Sequence, residues 1–173
     1  MPAEGMTWLD RSEVLTYEEL HRVAGICVNY FDVDGIRLTG GEPTMRAHVS
    51  VLIGKLATLV VPVSANSPRA GKPIDLALTT NGATLRLIAS ELRLAGLQRI
   101  NISLDTLNKQ RFFEMTRRDE LEHVLAGIDT AINVGFAPVK INAVVQRGVN
   151  DDEIVNLAAF GRDQGIEMRF IEF

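Results

Sequence analysis

Apolar residues Leu20, Val23, Ala24, Cys27, Val28 and Phe31 recur at the spacing of one helix face, and Thr16 with Glu19 forms a capping box ahead of them. The helix predicted from Thr16 ends between Asn29 and Gly35. The run Gly35-Ile36-Arg37-Leu38-Thr39 then alternates as a strand and stops at Gly40-Gly41-Glu42-Pro43, where two glycines and a proline break regular structure. A second helix carries Val49, Leu52, Ile53, Leu56 and Val60, and the Pro- and Ser-rich stretch Pro62 to Pro73 reads as an extended surface loop. Further strands are predicted at Ile74–Thr79, Arg99–Ser103, Val139–Val145 and Glu167–Ile171. Helices striped by Leu85, Ile88, Leu92 and Ala95, by Leu121, Val124, Leu125, Ile128 and Ile132, and by Ile154, Leu157 and Ala158 separate them. Asn150 and Glu153 read as the cap of the last helix.

Strands beginning near 36, 74, 99, 139 and 167 are spaced for repeated strand–helix–strand units, so the class is α/β with a parallel sheet. Alternation decides between architectures. Arg37 and Thr39 share one face, as do Asn101 and Ser103, and Lys140 and Asn142, while Ile36, Leu38, Ile100, Ile102, Val139 and Ile141 take the other. Strands of an open sheet covered on both faces are apolar nearly throughout. One polar face on successive parallel strands instead favours a barrel with a ligand inside and helices outside.

Composition adds bounds. At 173 residues, 46% hydrophobic and 23% charged, the chain is expected to form one domain over 1–173 with an adequate core. Its net charge of −4, with scattered basic residues, gives no reason to expect a nucleic-acid partner. No apolar run approaches a membrane span and the start carries no signal pattern, so the expected location is the cytoplasm. Cys27 is the one cysteine, which excludes an internal disulfide and a thiolate metal site made by this chain alone; it falls in a helix stripe and reads as core. His21, His48 and His123 lack ligand spacing, and no GxxxxGK phosphate loop is present.

Candidate chemistry lies at strand ends. Gly40-Gly41-Glu42-Pro43 could present free amides and a carboxylate to a ligand, or simply form a tight turn. Thr79-Thr80-Asn81-Gly82 and Ser103-Leu104-Asp105 could meet a ribose or cap the next helix. Lys140, central in Val139-Lys140-Ile141-Asn142, is expected to point inward and to need an anion: a phosphate ligand, a Schiff-base role, or a carboxylate on a neighbouring strand would each account for it. Arg37 meets the same argument and adds bidentate phosphate geometry.

The ordered segments Arg37–Pro43, Leu78–Gly82, Asn101–Asp105, Val139–Asn142 and Met168–Glu172 together resemble the GTP 3',8-cyclases, radical SAM enzymes of molybdenum cofactor biosynthesis. The resemblance runs essentially from Met1 to Phe173. It implies a partial (β/α)6 TIM-like barrel, with the first strand and the C-terminal segment missing. It also implies S-adenosylmethionine (SAM) binding at Gly41 and Ser103, with Gly40 and Glu42 alongside, and GTP binding at Arg37, Thr79 and Lys140. In that family a CxxxCxxC loop holds a [4Fe-4S] cluster that binds SAM, and three later cysteines hold a second cluster; this chain has no ligands for either. Met1 to Met6 resembles the segment just downstream of the first loop.

The reaction so implied converts GTP to 3',8-cyclo-7,8-dihydro-GTP through a SAM-derived radical that removes the C3' hydrogen. The chain alone is expected to be inactive, and to need an upstream cysteine-bearing fragment or to self-associate through exposed barrel edges. Two other classes stay open: a catalytically silent nucleotide- or SAM-binding module, or half of a split enzyme, and a Schiff-base barrel enzyme using Lys140.

Overall fold

The computed structural model describes residue 10 and residues 13–173; the Met1–Met6 segment lies outside them. Five parallel strands, β1 (Gly35–Leu38), β2 (Asp75–Thr80), β3 (Arg99–Ser103), β4 (Val139–Val145) and β5 (Glu167–Glu172), pair in the order β1-β2-β3-β4-β5. Six helices lie between or before them: α1 (Tyr17–Tyr30), α2 (Val49–Ala57), α3 (Leu85–Leu94), α4 (Lys109–Thr116), α5 (Leu121–Asn133) and α6 (Ile154–Gln164).

Strand order settles the architecture. Each strand pairs with its sequence neighbour, so right-handed crossovers put every connecting helix on the same face of the sheet. A doubly wound sheet would reverse direction and cover both faces. The sheet is therefore an arc of a TIM-like barrel, as the alternation of polar and apolar positions predicts.

The core fills the space between the sheet's outer face and the helices. Leu76, Leu78, Ile100, Ile102 and Ile141 meet Ile53, Leu85, Leu92, Val124 and Ile128, all essentially inaccessible to water. Each such side chain contributes roughly 1.5–3 kcal/mol of burial free energy. The α1 capping box forms as read: Thr16 Oγ1 accepts from the Glu19 amide at 3.2 Å and Glu19 Oε2 accepts from the Thr16 amide at 2.8 Å.

Several local expectations change. Helix α2 ends at Ala57, and Val60 instead bridges Pro73 in antiparallel fashion across the neck of the 62–73 loop. Helix α4 has no counterpart in the sequence reading, because it is short, Phe112 is its only buried side chain, and Lys109, Arg111 and Glu114 interrupt its apolar residues. Glu153 stands at the N-cap position of α6, but neither its side chain nor that of Asn150 makes a capping hydrogen bond. Asn150, fully buried, donates to the Asp105 and Val144 carbonyls at 2.7 and 2.9 Å and accepts from the Gln146 amide at 2.7 Å. Glu153 accepts from the Thr106 hydroxyl at 2.6 Å, from the Leu107 amide at 2.9 Å and from Arg111. Both side chains staple the loop after β3 to the loop after β4, which stiffens one rim of the barrel.

His21 is half-buried on α1, with Nε2 enclosed and without a partner among the described residues, whereas His48 and His123 are exposed.

Candidate functional site

The inner face of the sheet carries polar residues on every strand, with Ala77, Val144 and Ile171 interspersed. In register, Thr79 stands beside Asn101, Asn101 beside Lys140, and Lys140 beside Glu167, one row across four strands. Toward the carboxyl ends the next row is Ser103, Asn142 and Arg169, and on the other side lie Arg37, Ala77 and Arg99. The period of two along each strand brings these residues together, and parallel register aligns them.

Four cations on these strands, Arg37, Arg99, Lys140 and Arg169, face two carboxylates, Asp75 and Glu167, a net charge of +2. Arg99 is held bidentately by Asp75, with Nε donating to Oδ1 at 2.8 Å. Lys140 donates to Glu167 at 2.8 Å, and Arg169 Nε donates to the same oxygen at 2.9 Å. Arg37, exposed on β1, forms no salt bridge among the described residues. Of the three explanations offered for an inward lysine, the carboxylate neighbour is present, so burial of Lys140 does not by itself require a ligand. Arg37 is the cation left available for an external anion.

Above the strands, the loop after β1 is built around Glu42. Its carboxylate accepts four hydrogen bonds: from the Thr44 amide at 3.0 Å, the Thr44 hydroxyl at 2.6 Å, the Thr80 hydroxyl at 2.7 Å and the Asn81 amide at 2.7 Å. The side chain thus ties its loop to the end of β2. Gly40 sits at φ +146°, a conformation glycine adopts freely, and a Cβ on Gly40 or Gly41 would meet nothing within 4 Å. These backbones border open space where a ligand can lie against them.

A cavity of about 270 Å³ opens beside the β3 end, lined by Asn81, Ser103, Asp105, Phe112, Met115 and Arg118 among others. Asp105 Oδ1 accepts from the Val144 amide at 2.8 Å, yet burial pushes its carboxyl above the ordinary carboxylate range. Ser103 is exposed and Asp105 half-buried, so a hydroxyl and a carboxyl oxygen can both address a ligand there.

The structure brings Thr79 and Lys140 into one row, with Arg37 and Ser103 in the adjoining rows, and places Gly40, Gly41 and Glu42 above β1. Glu167 and Arg169 belong to the same surface but were not singled out from sequence. Their signal is the alternation Glu167, Met168, Arg169, Phe170, which puts both charges on the polar face.

Cys27, expected in the core, is half-buried on α1 and borders an apolar groove of about 360 Å³ with Leu20, Ile36 and Leu52. With this single cysteine, and no group of three potential metal ligands among the described residues, the chain's own side chains do not fit a [4Fe-4S] cluster. No helix among the described residues is long and apolar enough to cross a membrane.

Comparison with known proteins agrees with this architecture. The model of the radical SAM superfamily matches residues 3–161. A GTP 3',8-cyclase of Acidothermus cellulolyticus is 48% identical over 178 residues, covering all of this chain and 46% of the relative. The GTP 3',8-cyclase of Paenarthrobacter nicotinovorans is 42% identical, covering 99% of this chain and 45% of the relative. The chain spans about half the length of these curated relatives. Among solved structures, HydG, a maturase of the [FeFe]-hydrogenase, superposes with a TM-score of 0.63 at 14% identity, over 92% of this chain and 36% of HydG.

Proposed function

The chain belongs to the radical SAM superfamily, and we propose that its barrel arc is the substrate-holding part of a GTP 3',8-cyclase, which converts GTP to 3',8-cyclo-7,8-dihydro-GTP in molybdenum cofactor biosynthesis. The observation that carries this reading is the inner face itself, a net-positive polar surface in which Arg37 has no acidic partner among the described residues. A triphosphate is the part of GTP that such a surface attracts. Arg37 and Lys140 hold the phosphates and Thr79 accompanies Lys140 in its row.

The Gly40–Gly41 backbone and Ser103 border the SAM side of the same space, with Glu42 keeping the loop in position. SAM and the family's clusters supply the radical chemistry when bound; the chain's own residues bind, orient and shield the nucleotide. Cluster thiolates have to come from outside this chain's side chains, so a cysteine-bearing partner segment is part of the proposal, and pairing at the barrel edges is the route by which it or a second copy would join.

The Schiff-base reading is less well supported, because the Lys140 nitrogen that would attack a carbonyl is engaged by Glu167 in two contacts at 2.6 and 2.8 Å. Calorimetric titration with GTP tests the proposal. Binding should be weakened by Arg37→Ala and by Lys140→Ala, the latter by about 1.5–3 kcal/mol, as for a hydrogen bond to a charged group. Unchanged affinity in both variants would refute it. Borohydride trapping of a carbonyl compound on Lys140 would revive the alternative.

A further inference from the structure

Lys140 and Arg169 converge on one carboxylate. Glu167 Oε1 accepts from Lys140 Nζ at 2.8 Å and from Arg169 Nε at 2.9 Å, and its Oε2 lies 2.6 Å from the same lysine. The two ends of the lysine pair differ in exposure: the Lys140 side chain is 11% accessible and that of Glu167 45%. A buried ammonium group without an anion is costly, and Glu167 is the anion that accompanies Lys140 here. Because the carboxylate itself is half in solvent, it is held by charge rather than by packing and can be exchanged for another anion.

We propose that Glu167 is an internal counter-ion that sets the affinity of the site: it pairs with Lys140 in the free protein, and a phosphate of an incoming polyphosphate takes its place on the lysine. The proposal rests on the reading of the inner face as a phosphate site, and it deepens that reading by assigning a role to a residue that the ligand does not need to touch. Lys140 and Arg169 hold the Glu167 carboxyl below its ordinary range, so the competitor is a full anion at neutral pH.

Replacing Glu167 by a neutral isostere therefore has two opposed effects. The free protein loses the partner of a buried lysine and becomes less stable, while an incoming phosphate no longer has to displace a carboxylate and binds more tightly. A purely structural role, in which Glu167 merely orients Lys140, moves both quantities the same way.

The experiment is calorimetric titration of the chain, Glu167→Gln, Lys140→Met and the double variant with sodium tripolyphosphate and, separately, with GTP, alongside thermal melts. Glu167→Gln should bind tripolyphosphate roughly fivefold more tightly, the scale of one partly exposed charge contact. Its melting temperature without ligand should be lower. The gain should vanish in the Lys140→Met background, where there is no lysine to hand over. Weaker or unchanged binding in Glu167→Gln, an equal gain without Lys140, or no tripolyphosphate binding by any variant would each overturn the proposal. If tripolyphosphate behaves as expected while GTP is not bound, the counter-ion role stands and the assignment to a GTP enzyme fails.

Discussion

The hydroxyl of Thr80 donates a 2.7 Å hydrogen bond to the carboxylate of Glu42, joining the end of β2 to the loop that follows β1. The same hydroxyl accepts from the Gly82 amide at 3.1 Å, so one nearly inaccessible side chain orders both its own turn and its neighbour's. Thr80→Val keeps the shape and removes both bonds. It should destabilise the protein by about 1–3 kcal/mol, the cost of leaving buried polar groups unpaired, whereas Thr80→Ser should recover most of that loss. Urea denaturation of the two variants measures the difference.

Two glycines should respond differently to the same change. A Cβ at Gly127, inside α5, would come within 2.6 Å of the Gly82 carbonyl and 3.0 Å of Leu85 Cβ, so α5 approaches the β2–α3 turn as closely as it does only because that position is bare. Alanine normally favours a helix interior by about 1 kcal/mol over glycine. Here Gly127→Ala should instead cost about 1–3 kcal/mol through overpacking. Gly41→Ala meets nothing within 4 Å and should leave stability within about 0.5 kcal/mol of the parent. If Gly41 is bare to admit a ligand, that variant should bind S-adenosyl ligands more weakly despite its unchanged melt, which calorimetry with S-adenosylhomocysteine can read.

The fold was largely legible because one local rule recurs at every strand. Arg37, Asn101 and Lys140 alternate with Ile36, Ile100 and Ile141, and this period of two carries the barrel reading without any knowledge of pairing. Helix α4 was not legible, since only Phe112 is buried and one residue makes no stripe. In the candidate site, residue types could indicate that Lys140 needs an anion, but not which one. The pairing with Glu167 depends on β4–β5 register, and sequence spacing does not contain it. Asn150 and Glu153 mislead for a related reason: capping residues are also good at bridging loops, and here the contacts to Asp105 and Thr106 across the rim take the place of the cap.

Asp105 and Glu167 give opposite contributions to the pH dependence of stability. Burial raises the Asp105 carboxyl, so the folded chain holds that proton to higher pH than the unfolded one, and stability from this group falls as pH rises from about 4 through its folded value. Hydrogen bonds from Lys140 and Arg169 lower Glu167, so its contribution is present above the ordinary carboxylate range and lost as pH falls through the lower folded value. Asp105→Asn can still accept from the Val144 amide and should remove the first effect alone. Denaturation between pH 4 and 7 should therefore show the variant gaining stability relative to the parent as pH rises; a constant difference would mean that Asp105 titrates normally.

The central claim, that the inner face of the barrel arc holds the phosphates of a nucleotide, is tested most directly by a crystal structure of the chain grown with GTP. The account predicts phosphate oxygens within hydrogen-bond distance of Lys140 Nζ and the Arg37 guanidinium, with the Glu167 carboxylate displaced from the lysine. Ordered phosphates elsewhere on the molecule, with Lys140 and Glu167 still paired, would contradict it.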